Sequence, residues 1–238
     1  MAADSVLAVR ELSAWYGRAQ ILFDVGLEVA RGEVVALMGR NGAGKSTTLK
    51  SIMGLVERIR GEVVFRGKQL RGAQPCDIAR LGLGYVPEDR RIFTELTVRE
   101  NLEVGRQPPR PGAPGWTEEK LFRVFPNLAE MQRRAGGQMS GGEQQMLTVA
   151  RTLMGNPFLV LLDEPSEGIA PRIVEETANM ILELKREGLS VLLCEQNLHF
   201  ATLVSDRVYV IEQGGIRYSG TMRELAADDA VKRDYLSL

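Results

Sequence analysis

Short apolar runs punctuated by glycine open the chain: Val6 to Glu11, Gly26 to Ala30, Glu33 to Met38 and Glu62 to Phe65. Their lengths and β-branched content predict strands, and the turns between them predict an antiparallel layer. Leu83 to Val86, Phe158 to Leu162 and Val191 to Cys194 are apolar without alternation and lie between amphipathic stretches. That pattern predicts a parallel sheet buried on both faces, with a site along the C-terminal ends of its strands. Arg172 to Glu187 sets Ile173, Ala178, Ile181, Leu182 and Leu184 at helical spacing and stops at Gly188, which predicts a crossover helix. From about Glu88 to Asn156 the period changes. Thr97 to Gly105, Thr117 to Phe125 and Gly141 to Met154 read as helices with no strand between them, so a helical lobe is predicted, with Gln107 to Gly115 as an irregular Pro- and Gly-rich loop. Arg207 to Glu212 and Ile216 to Tyr218 flank Gly214-Gly215 as a hairpin, and a helix follows from about Met222. The expected class is α/β, as one domain over 1–238: a core with its β layer from 1–87 and 157–238, and an inserted helical lobe from 88–156.

The strand ending at Met38 runs into Gly39-Arg40-Asn41-Gly42-Ala43-Gly44-Lys45-Ser46, which fits the phosphate-cradling pattern G-x-x-x-x-G-K-[ST]. Glycines let backbone N–H groups converge on phosphate oxygens, and the helix beginning near Lys45 turns its positive end toward them. Lys45 would reach the β- and γ-phosphates and Ser46 the metal of a nucleoside triphosphate–magnesium complex.

The run Phe158 to Leu162 ends in Asp163-Glu164. Two carboxylates at the end of a buried strand are costly unless they meet a cation or solvent, and beside a phosphate loop that cation is Mg2+. Asp163 would hold the metal, and Glu164 would orient or deprotonate the water that attacks the γ-phosphoryl group. Ser140-Gly141-Gly142-Glu143 has the spacing of a capping box. Two glycines inside a helix start are unfavourable unless an anion approaches the bare backbone, so a second phosphate-facing surface is expected there.

Composition narrows the partners. Thirty basic and 31 acidic residues leave a net charge of −1, which provides no footprint for nucleic acid and no anchor on anionic lipid. The apolar run Phe158 to Leu162 falls far short of the ~20 residues of a spanning helix, and the N-terminus lacks an apolar signal core. A cytoplasmic protein is expected, with any membrane role exercised through a partner. Cys76 and Cys194 lack C-x-x-C spacing and His199 is the single histidine, so neither a disulfide nor a zinc site is expected.

Taken in order, the phosphate loop, the Ser-Gly-Gly-Glu helix start and the strand ending in Asp-Glu resemble the ATP-binding subunits of ABC transporters, over essentially the whole chain. The resemblance implies a P-loop NTPase core with a parallel central sheet, an antiparallel β layer and an inserted helical lobe. It also implies a head-to-tail dimer in which Ser140, Gly141 and Gly142 of one subunit meet the γ-phosphate held by Gly39 to Thr47 of the other. Tyr16 falls where the family places an aromatic that stacks on adenine. Three positions depart from the family pattern: Glu88 replaces a glutamine and would be a harder ligand for magnesium, Gln196 replaces a histidine that contacts phosphate, and Ala170 stands where an aspartate is usual. Glu88 with Asp89-Arg90-Arg91, Asp163 to Gly168, and Cys194 to Asn197 resemble the ATPases of branched-chain amino acid importers, and urea-importer ATPases are similar. In such systems two ATPase subunits serve two membrane permeases, fed by an extracytoplasmic binding protein. Two other classes follow from the same motifs: a regulatory nucleotide-binding module with little turnover, or an ATPase of DNA repair or translation, which the charge balance disfavours.

Overall fold

The computed structural model describes residues 5–236. It begins with a hairpin of two long strands, β1 (Ser5–Tyr16) and β2 (Ala19–Ala30), and continues through β3 (Val34–Met38) into helix α1 (Lys45–Ile52). Strands β4 (Arg58–Phe65) and β5 (Lys68–Gln69), helix α2 (Pro75–Arg80) and strand β6 (Leu83–Val86) follow. Helices α3 (Val98–Gly105), α4 (Glu118–Val124), α5 (Pro126–Glu130) and α6 (Gly141–Leu153) then succeed one another, with a 3-10 turn at Gly136–Gln138 and an isolated bridge from Thr97 to Ala135 but no strand between them. The rest alternates β7 (Leu159–Asp163), α7 (Pro171–Arg186), β8 (Ser190–Glu195), α8 (Leu198–Val204), β9 (Arg207–Glu212), β10 (Gly215–Thr221) and α9 (Met222–Ala227).

Four strands form an antiparallel sheet in the order β2-β1-β4-β5, and six form a second sheet in the order β10-β9-β3-β8-β7-β6. In the second, β9, β3, β8, β7 and β6 are parallel and β10 returns antiparallel beside β9. The placement of Glu33 to Met38 in the antiparallel layer is therefore corrected: β3 lies inside the parallel sheet, between β8 and β9. All five residues of β3 are buried, which needs cover on both faces. Its neighbours come from far along the chain, and nothing local to Val34–Met38 names them.

Alternate residues of each central strand feed two cores. Val34, Ala36 and Met38, with Val160, Leu162, Val191 and Leu193, join helices α6, α7 and α8 on one face. Val35 and Leu37, with Leu159, Leu161, Leu192 and Cys194, join the antiparallel layer and α1 on the other. Capping boxes start α3 (Thr97 with Glu100), α6 (Ser140 with Glu143) and α9 (Thr221 with Glu224). No helix among the described residues is long and apolar enough to cross a membrane.

Candidate active site

The loop between β3 and α1 is built by close packing. A β-carbon at Gly39 would collide with the carbonyl oxygen of Ile211 in β9. Gly44 caps α1 in a left-handed conformation (φ 113°), and a β-carbon there would come within 2.8 Å of Leu22 Cδ2. The Gly214 amide donates to the Ala43 carbonyl (2.9 Å) while the Gly214 carbonyl accepts from the Phe23 amide (2.8 Å), so the loop is braced by the β9–β10 turn and by β2. Helix α1 has no side-chain cap and no acid in its first turn. Its leading N–H groups and positive dipole end are thus available to an anion. Arg40, Asn41 and Gly42 are exposed, and Ser46 and Thr47 are half-buried.

Lys45 and Glu164 form an ion pair (Nζ to Oε1, 3.0 Å) with side chains only 3% and 7% exposed. The same ammonium donates to the carbonyls of Gly39 (2.8 Å) and Arg40 (3.1 Å), so its three donors are satisfied. Ser46 Oγ donates to Asp163 Oδ1 (2.9 Å), and Tyr85 Oη donates to the other carboxylate oxygen (3.2 Å). Burial pushes the Asp163 carboxyl up, partly offset by these two bonds. Burial likewise lifts the Tyr85 phenol, with the Asp163 charge adding to it, and keeps that phenol a donor. Glu164 has a left-handed backbone (φ 48°) and donates its amide to the Cys194 carbonyl at 3.0 Å. Such a conformation costs energy in a non-glycine residue.

Glu164 also shares a hydrogen bond with Glu167. Burial raises Glu164, but that shared bond and the Lys45 ammonium outweigh it and hold its pKa below the ordinary value. The bond to Glu164, the charge of that carboxylate and burial together push Glu167 up to about 7 from its ordinary 4.5. Between those two values the folded chain keeps a proton that the unfolded chain has released, so this group subtracts stability as pH rises through that window. In EDTA, the melting temperature of Glu167→Gln protein should decline less than that of the parent between about pH 5 and pH 8, by a few degrees at most, because Glu167 is exposed. Parallel melting curves would dismiss the like-charge pair.

Of the other predicted site residues, Tyr16 ends β1 with 48% of its surface exposed, two residues beyond Ala14, which pairs with Leu22 at the edge of the phosphate loop. Gln196 is exposed just past the end of β8, and Glu88 is exposed just past β6. Ser140, Gly141 and Gly142 open α6 but stand apart from this cluster. Their close neighbours are Arg90 and Ile173, and no hydrogen bond or ion pair among the described residues joins them to the phosphate loop. Three groups went unassigned in the sequence: Tyr85, Glu167 and the buried Glu195. Their signal was a polar residue at or near the end of a buried strand, which is weak without the partners. Among the described residues no cluster of three or more His, Cys, Asp and Glu side chains could hold a metal unaided. The available donors, Ser46 and Asp163, are hard oxygens beside an anion-binding loop, which fits Mg2+ held jointly by protein and phosphate.

Comparison with known proteins bears on what this geometry serves. The pattern of the family described as ABC transporter matches residues 22–167. The chain is 42% identical to the high-affinity branched-chain amino acid transport ATP-binding protein BraG of Pseudomonas aeruginosa, an alignment covering 97% of this chain and 99% of that one. It is 35% identical to the lipopolysaccharide export system ATP-binding protein LptB of Haemophilus influenzae, over 98% of this chain and 97% of the relative. The ADP conformation of MJ1267, an ATP-binding cassette of an ABC transporter, superposes with a TM-score of 0.80 at 28% identity, covering 96% of this chain and 97% of that one.

Proposed function

The chain belongs to the ABC transporter family, as an ATPase that powers transport, and we propose that it serves the import of branched-chain amino acids. The observation that carries the cargo is the higher identity to BraG than to LptB at nearly equal coverage. Under this reading residues 1–238 act as one ATPase domain whose lobe is 88–156.

The backbone of Gly39, Arg40, Asn41, Gly42, Ala43 and Gly44 wraps the phosphates of ATP, helped by the amides of Ser46 and Thr47, and Tyr16 stacks on the adenine. Ser46, Asp163 and Glu88 would hold Mg2+, which when bound neutralises charge on the phosphates. Lys45 binds the β- and γ-phosphates. To do so it must loosen its 3.0 Å bond to Glu164, so the arrival of ATP releases the carboxylate needed as base. Water then attacks the γ-phosphorus, its proton passes to Glu164, and the bond to the bridging oxygen breaks with the electron pair leaving on ADP. Gln196 hydrogen-bonds a γ-phosphate oxygen, and Ser140, Gly141 and Gly142 of a second ATPase subunit, identical or related, close over the same group from outside. Loss of that group releases the pair.

Leu55, Phe93 and Val104 are exposed around a groove of about 620 Å³ between α2, β6 and the lobe helices α3 and α6. Exposed apolar side chains collected around one groove fit docking of a membrane permease, which would place the chain on the cytoplasmic face of the membrane. A tagged chain isolated from its native membranes in mild detergent should bring down two multi-spanning permeases and, in the complete system, an extracytoplasmic binding protein. Vesicles reconstituted from that assembly should take up leucine, isoleucine or valine with ATP. Phe93→Asp with Leu55→Asp should lose the permeases while keeping the ATPase activity of the free subunit. Uptake of urea, or outward movement of lipopolysaccharide, would overturn the assigned cargo.

A further inference from the structure

Glu195 is the last residue of β8, stands opposite Met38 at the end of the strand that feeds the phosphate loop, and is 2% exposed. No lysine, arginine or histidine among the described residues pairs with it. Its charge is instead met by backbone amides: Oε1 accepts from Ser166 (3.0 Å), and Oε2 accepts from Gln196 (3.1 Å) and Asn197 (3.3 Å). Burial still pushes its pKa up, against the pull of those bonds. A carboxylate buried without a cation is a costly way to end a strand, and an apolar residue would suit the core better.

The division of its oxygens gives the arrangement a use. Ser166 lies in the loop that begins at Glu164, whereas Gln196 and Asn197 form the segment leading into α8. One carboxylate group therefore clamps both segments, and a planar group with two fixed oxygens cannot follow one of them without moving the other. Next to this clamp the Glu164 amide bonds the Cys194 carbonyl (3.0 Å), so the two segments are tied at consecutive β8 residues.

We propose that Glu195 is a positioning residue that fixes the spacing between the base Glu164 and the phosphate-sensing Gln196, so that contact of Gln196 with the γ-phosphate sets the loop from Glu164 to Gly168. This rests on the roles given above to Glu164 and Gln196. Glu195 itself touches no nucleotide. Glu195→Gln keeps the shape but turns one acceptor into an NH2 group facing an N–H donor, which frees one of the two segments. Its kcat should fall about 10- to 100-fold, within the roughly 100-fold that displacing a reacting group by about 1 Å can cost. KM for ATP should stay within about twofold, because the phosphate loop is untouched. A merely structural role would lower the melting temperature without that split. The loss should also be less than additive with that of Gln196→Ala, since both act on one unit.

Glu164→Gln run in parallel separates the outcomes. If it is inactive while Glu195→Gln turns over at the parental rate, the positioning role is overturned and the assignment of the base stands. If Glu164→Gln hydrolyses ATP undiminished, the assignment of the base falls and the positioning role with it. Should Glu195→Gln fail to fold, hydrogen exchange on Glu164→Gln protein decides: ATP and Mg2+ should slow the amides of Ser166, Gln196 and Asn197 together. Protection at 196–197 with none at 166 would overturn the clamp.

Discussion

Purified Glu164→Gln protein should bind ATP at least as tightly as the parent, turn over at least ~100-fold more slowly, and accumulate as an ATP-bound dimer. Glutamine preserves the volume of the side chain and asks nothing new of the left-handed backbone at this position. It removes proton acceptance and the negative charge that holds the Lys45 ammonium at 3.0 Å. The first loss stops the chemistry. The second leaves Lys45 bound to the Gly39 and Arg40 carbonyls and at most a neutral amide oxygen, so a phosphate oxygen no longer competes with a carboxylate for it. Tighter ATP binding together with blocked turnover is therefore the signature of this geometry, whereas a residue that only shapes the pocket would lose both. Size-exclusion chromatography with ATP, ADP and no nucleotide, beside a phosphate-release assay, reads all three effects. Hydrolysis at the parental rate would remove Glu164 as the base.

Much of this site could be read from local sequence, and the reason is geometric. A phosphate loop must place Gly, Lys and Ser at fixed intervals between a strand and a helix, so Gly39 to Ser46 announce their chemistry without any distant contact. Phe158 to Asp163 does so as well, because a strand buried on both faces carries an unbroken apolar run and a carboxylate at its end is conspicuous. Glu33 to Met38 shows the limit: its run identified a buried strand, but the choice of sheet depended on β8 and β9, which enter more than 150 residues later. The helices α2 and α8, of 6 and 7 residues, are too short for a periodic signal to stand out. Tyr85, Glu167 and Glu195 were hidden for a related reason. Tyr85 matters through Asp163, 78 residues away, and Glu195 through Ser166, 29 residues away. The ion pair between Lys45 and Glu164 was likewise unforeseen, although both residues were assigned to the site. From the sequence Lys45 is expected to meet the phosphates and Glu164 the attacking water, and the structure gives them to each other.

That pair makes Lys45→Ala a test of two things at once. Nucleotide affinity should fall by about one to two orders of magnitude, since a charge-assisted hydrogen bond to phosphate contributes about 1.5–3 kcal/mol and a tenfold change in binding is about 1.4 kcal/mol. Stability should fall too, because the substitution strands the Glu164 carboxylate, 7% exposed, without its cation. Breaking one side of a buried pair costs about 3–5 kcal/mol, lessened here if the carboxyl takes up a proton from its neighbour Glu167 or from solvent. Weak binding by a damaged fold would then imitate weak binding by a missing contact. The double variant Lys45→Ala with Glu164→Gln separates them, since it removes the stranded charge while leaving the phosphates unserved. Its melting temperature should recover most of the loss, and its ATP affinity, by calorimetry or a fluorescent analogue, should not recover. If affinity returns along with stability, Lys45 holds the loop together and does not bind the phosphates, and the assignment of this lysine to nucleotide is wrong.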